Sequence, residues 1–147
     1  MNEALLLETE RFLHDRIPLA AAMGVRIESY DSSGLILTAP LEANHNHLGT
    51  AFGGSLAAVA TLAGYALLWL ELNDRDSHIV IRSSRISYKH PVEGELRAIC
   101  LHPGASAIAR FKTWFAKAGK ASLPLKVLMG PTDRPHVGFE GVYVAIR

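Results

Sequence analysis

The chain has 147 residues, 49% of them hydrophobic, which suits one domain, residues 1–147, with one core and no covalent staples. Fifteen Lys and Arg against 14 Asp and Glu leave a net charge of +1, which argues against nucleic-acid binding; the single cysteine excludes a disulfide scaffold and a cysteine-rich zinc site. With Glu3, Glu8 and Glu10 where a secretory signal needs a basic start, the expected compartment is the cytoplasm.

From Asn2 to Arg16 the apolar residues Leu5, Leu6, Phe12 and Leu13 recur among charges, the pattern of an amphipathic helix, ended by Pro18. Gly24 to Ser29 and Leu35 to Ala39 alternate as strands around the turn residues Asp31 to Gly34, which makes a hairpin. Glu42 to Thr50 is a polar loop that leads through Gly53-Gly54 into an apolar helix, Ser55 to Leu72, stopped by Asn73-Asp-Arg-Asp76.

Gly49 to Leu70 carries no formal charge and is long enough to span a bilayer. It opens on glycines and small polar residues, and the nearest basic residues, Arg26 and Arg75, are too remote to anchor it, so no membrane span is expected. A helix apolar on every side then belongs inside a soluble core.

The β-branched run Ile79 to Tyr88, a turn at Pro91 to Gly94 and a strand from Glu95 to Leu101 suggest a second hairpin. Ala105 to Ala118 reads as a helix with Ile108, Phe111 and Phe115 on one face, although Lys112 to Phe115 also suits a strand. Leu123 to Met129 and Val137 to Ile146 close the chain as two strands. Short connections imply antiparallel neighbours, so the expected class is α+β, a curved antiparallel sheet of five to six strands wrapped around one central helix. Such an open sheet has two free edges, and pairing with a second copy, as a homodimer or a dimer of dimers, is the expected remedy.

The candidate chemistry sits where the long helix begins. Gly53 and Gly54 leave backbone N–H groups unshielded at the positive end of the helix dipole, a geometry that suits an oxyanion or a phosphate. Small residues at Gly54, Ala57, Ala58, Thr61 and Gly64 share one stripe, for which close packing of the helix against a strand is the plainer explanation. Thr61 either bonds back to the carbonyl of residue 57 or meets substrate. Seven positions amount to about 10 Å of helix, so Gly54 and Thr61 of one chain cannot touch one reacting atom. His45 and His47 lack nearby Cys, Asp or Glu, so no metal site is expected.

The run Asn46-His-Leu-Gly-Thr-Ala-Phe52-Gly53-Gly54-Ser-Leu, followed by Ala60-Thr61-Leu-Ala-Gly64, resembles the central segment of the hot-dog-fold acyl-CoA thioesterases. It is most similar to the small thioesterase domain found alone or fused to acetyltransferases. Weaker likeness extends to Ile17-Pro-Leu, Met23-Gly-Val, Tyr88 with Pro91-Val92, and Phe139 to Val144. The resemblance implies a sheet wrapped around a long helix, dimerisation through the sheet, and thioester hydrolysis at the subunit interface. It implies that Asn46 positions the attacking water or the thioester, and that the Gly54 N–H receives the thioester oxygen.

The chain departs from that pattern at two places, with Phe52 where many relatives have His and Thr61 where they have Asp or Glu. A carboxylate could attack or deprotonate water, whereas threonine is a poor base near neutral pH, so Thr61 is expected to orient water and His47 or His45 to accept the proton. His47, Phe52, Gly53 and Ser55 are expected around the substrate, with Ser84 beside Thr61 and Arg82 or Arg85, aided by Lys89 or Lys120, on the phosphates of CoA. The expected substrate is an acyl-CoA or acyl-carrier-protein thioester, with CoA as part of the substrate and no cofactor. The alternatives are a non-catalytic acyl-CoA-binding module and, with no acid between Gly53 and Leu70, less readily a dehydratase or hydratase.

Overall fold

A computed structural model describes residues 2–147. Asn2 starts the first helix, α1 (Glu3–Arg16), by accepting the Ala4 N–H on its side chain at 2.8 Å. Pro18 does more than end this helix. It opens a second, α2 (Pro18–Met23), because a fixed φ and a missing N–H are favourable at a first helical position. Gly24, at φ 72°, closes α2 in the left-handed conformation.

The first hairpin is present as β1 (Arg26–Asp31) and β2 (Gly34–Ala39), with the Asp31 carboxylate accepting the Ser33 N–H at 2.8 Å in the turn. Gly34 is required there, since a Cβ would lie 2.1 Å from the Cys100 carbonyl oxygen and φ is 146°. The long helix, α3 (Gly53–Leu72), has a mean hydropathy of 1.6 and is long and apolar enough to cross a membrane. In this fold it runs through the core, with Val59, Ala60, Ala63, Ala66, Leu67 and Leu68 wholly buried.

The remaining elements are β3 (His78–Tyr88), β4 (Leu96–Leu101), α4 (Ala105–Ala118), β5 (Lys120–Met129) and β6 (Val137–Ile146). They complete one six-stranded antiparallel sheet in the order β1-β2-β4-β5-β6-β3. The second hairpin expected between residues 79 and 101 does not form. β3 pairs along its whole length with β6, while β4 lies between β2 and β5. Lengths account for this exchange, because the long β3 finds a match in β6 and the short β4, with Leu96, Ala98 and Cys100 wholly buried, belongs in the sheet centre.

The ambiguous segment 105–118 is a helix, with Ile108, Phe111 and Phe115 as its buried face. β5 pairs with β6 from Lys120 to Met129 but with β4 only from Val127 to Met129, so the stretch 120–126 has no strand on that side and α4 lies along it.

Candidate functional site

The loop before α3 is built by two asparagines. Asn44 is buried; its Nδ2 donates to the carbonyls of Met23 at 2.9 Å and Pro40 at 2.8 Å, and its own carbonyl accepts the Phe52 N–H at 2.7 Å. Asn46 Oδ1 accepts the N–H groups of Leu48 at 2.8 Å and Thr50 at 3.2 Å, and its Nδ2 donates to Thr50 Oγ1 at 2.8 Å. A bond from Ala51 N–H to the Val92 carbonyl at 2.8 Å ties the loop to the β3–β4 connection.

These bonds deliver Phe52 to the N-cap of α3, a position at which phenylalanine has no polar atom to offer. Among the described residues the N–H groups of Gly53, Gly54 and Ser55 have no side-chain cap and no backbone acceptor, and Gly54 is exposed. They point out from the positive end of a 20-residue helix, where partial positive charge accumulates. Two rings flank this tip. The Phe52 ring lies against Gly54, whose Cβ would stand 2.6 Å from Phe52 Cε2; the Tyr88 ring stands beside Gly53, and its hydroxyl reaches the Gly53 carbonyl at 3.4 Å. Both rings are more than half exposed, at 55% and 52%.

Thr61 is half-buried, and its Oγ1 donates to the Ala57 carbonyl at 2.8 Å, the structural alternative foreseen for it. The hydroxyl oxygen still has lone pairs and can accept a hydrogen bond. Behind it the Tyr143 hydroxyl donates to the Thr61 carbonyl at 2.8 Å, in space that exists because residue 64 is glycine. Burial pushes the Tyr143 phenol above its usual range, so it stays a neutral donor. Gly54, Ala57, Ala58, Thr61 and Tyr65 are half-buried or exposed and mark a stripe of α3 that the chain's own sheet leaves partly open.

The other residues named from sequence spread outward from this tip. His45 is exposed, with Nδ1 2.8 Å from the Asn46 carbonyl oxygen; His47 is exposed and makes no hydrogen bond among the described residues. Ser55 is half-buried in the first turn. Ser84 and Arg82 lie four and six residues from Tyr88 on the exposed edge strand, about 13 and 20 Å along it, so one chain does not bring them to its own Gly54. Arg85 pairs instead with Glu140 at 3.6 Å. Two contributors were not assigned a structural role from sequence. Tyr88 as a wall of the tip needs the β3 placement, and Asn44 as the latch needs the long-range contact to Met23.

A family model described as "Putative thioesterase (yiiD_Cterm)" matches residues 6–147. The chain belongs to this thioesterase family. A protein of unknown function from Chlorobaculum tepidum is 35% identical, covering 97% of this chain and 94% of its own, with a TM-score of 0.88. A "putative thioesterase" from Shewanella oneidensis is 27% identical over 99% of this chain and 100% of its own, with a TM-score of 0.84. A mutant thioesterase from Pseudomonas aeruginosa, at 14% identity over 96% and 93% of the two chains and a TM-score of 0.72, shows the shared fold alone. The sheet curled around one long helix is therefore the hot-dog fold that the resemblance implied.

Proposed function

We propose that this thioesterase-family chain hydrolyses an acyl-CoA or acyl-carrier-protein thioester at the tip of α3, in a site completed by a second copy of the chain. The observation that carries this reading is the set of uncapped N–H groups at Gly53, Gly54 and Ser55 beside an exposed glycine. Water oxygen adds to the thioester carbonyl carbon, and the carbonyl electron pair moves onto oxygen, where the Gly54 N–H and the helix dipole stabilise it. Collapse of that intermediate breaks the carbon–sulfur bond; the thiolate takes up the proton lost by water, leaving a free acid and a thiol.

Within this reading Thr61 accepts a hydrogen bond from the attacking water, which its engaged proton and free lone pairs permit. Because about 10 Å of helix separates Thr61 from Gly54, Thr61 serves the partner's tip. The half-open stripe on α3, the exposed edge strand with Val80 and Ile81, and the exposed rings of Phe52 and Tyr88 supply the apolar surface that a second copy would cover. Asn46 acts by shaping the loop, since its side-chain amide is engaged within it. His47, with no hydrogen bond of its own among the described residues, is the candidate proton acceptor.

The absence of an acid on α3 between Gly53 and Leu70 favours a second reading, an acyl-CoA-binding module without turnover. One experiment separates the two. Steady release of free thiol from a panel of acyl-CoA substrates supports hydrolysis, and saturable binding of the same panel with no thiol released overturns it.

A further inference from the structure

Where β4 leaves β5 at Val127, α4 and the stretch 120–126 flank a solvent-open groove made of two adjoining depressions of about 480 and 320 Å³. Both are lined by Ala107, Arg110 and Leu123. One continues along Leu101, Pro103, Pro124 and Leu125; the other ends at Phe111 and the exposed ring of Trp114. The groove lies far from the tip of α3, because His102 on its wall approaches Glu71 at the opposite end of that helix, at 3.6 Å. About 25 Å of helix separates Glu71 from Gly54.

The charges in the groove do not balance locally. Lys126 faces Glu140 at 3.6 Å, a carboxylate that Arg85 also approaches, and His102 faces Glu71, which it shares with Lys112. Arg110, between the two depressions, bonds only the neutral Ser106 hydroxyl at 3.2 Å and has no carboxylate within ion-pair distance among the described residues. The walls are apolar at Ala107, Leu123, Phe111 and Trp114 and polar at Ser122, and the exposed, unmatched guanidinium of Arg110 midway suits a ligand with a hydrocarbon body and a single negative charge. Glu140 at the far end disfavours a multiply charged phosphate group.

We propose that the groove between α4 and β5 binds an aliphatic monocarboxylate, with its carboxylate on Arg110 and its chain running past Ala107 and Leu123 onto the exposed ring of Trp114. This site stands on the groove alone and does not depend on hydrolysis at the α3 tip.

Tryptophan fluorescence tests it, because Trp69 is buried and stacked on Phe12 at 4.1 Å while Trp114 is 63% exposed at the groove. Titration with hexanoate, octanoate and decanoate below their micelle concentrations is expected to blue-shift the Trp114 emission saturably. Each methylene that enters the groove tightens binding by up to about fourfold. Arg110→Gln weakens decanoate binding about tenfold and leaves thioester turnover unchanged. Gly54→Pro leaves decanoate binding intact, so failure of this site and failure of the proposed hydrolysis read out separately. Four results would each overturn the proposal: no saturable shift, equal binding by Arg110→Gln, equal binding of decanol and decanoate, or tighter binding of adenosine bisphosphate than of decanoate at Trp114.

Discussion

The Tyr143 hydroxyl donates to the Thr61 carbonyl at 2.8 Å across the gap left by Gly64, and this contact pins the middle of α3 to β6. A methyl group at residue 64 would stand 2.3 Å from the Tyr143 hydroxyl oxygen. Gly64→Ala should therefore destabilise the fold by about 1–3 kcal/mol, the usual range for an overpacked core. Tyr143→Phe should cost about 1 kcal/mol, and the double variant should be somewhat less destabilised than the sum, because the hydroxyl, the atom nearest the methyl, is gone while Cζ and Cε1 at 2.4 and 2.6 Å remain. Denaturant melts of the three variants check this; strict additivity would show that the two residues do not meet.

The Cys100 thiol is wholly buried, and burial pushes it up to about 12. The thiolate that thiol reagents need is then scarce near neutral pH. The native protein should react with a thiol reagent at pH 8 only as fast as it opens, and denaturant should speed the reaction by orders of magnitude. Rapid native labelling would mean that β4 is not held between β2 and β5.

Asp74, just beyond α3, accepts the Asp76 N–H at 2.9 Å and pairs with Arg147 at 3.1 Å; both hold its carboxyl below the ordinary 3.8. A carboxyl lower in the folded than in the unfolded state adds stability above its ordinary value and loses it as pH falls through the folded one. Stability should thus decline below pH 3.8, and Asp74→Asn should flatten that decline. Melting temperature against pH for the two proteins is the measurement, and identical acid limbs would contradict the pairing.

Thr61→Val keeps the volume and removes the hydroxyl that donates to Ala57. If the oxygen also orients water for a partner's tip, kcat should fall, by up to about 100-fold, while KM holds. A change in melting temperature with kcat unchanged would leave Thr61 a structural residue only.

Much of the fold was legible because burial leaves a plain trace in composition. A helix from Ser55 to Leu72 that is apolar on nearly every side and lacks basic anchors belongs largely inside a core, and the alternation on either side of Asp31 to Gly34 marks a hairpin. Strand partnership was not legible, since Ile79 to Tyr88 pairs with a segment almost sixty residues later, and no local signal distinguishes β6 from β4 as its neighbour. The site divides the same way. Gly53-Gly54 announces unshielded N–H groups at a helix start, whereas Phe52 as the N-cap, with the helix beginning at Gly53, is seen only in the structure. Asn46 offered no sign that its amide is engaged with Leu48 and Thr50, and the meeting of Tyr88 with Gly53 requires the whole sheet.

The bare amide at Gly54 is tested most directly by removing it. Proline is tolerated in the first turn of a helix and has no N–H to give, while alanine keeps the N–H and displaces only the exposed Phe52 ring. Thiol release from acyl-CoA should fall about 100-fold or more in Gly54→Pro and stay near the parent rate in Gly54→Ala, with both variants folded by circular dichroism. A folded Gly54→Pro protein that releases thiol at the parent rate would contradict the account.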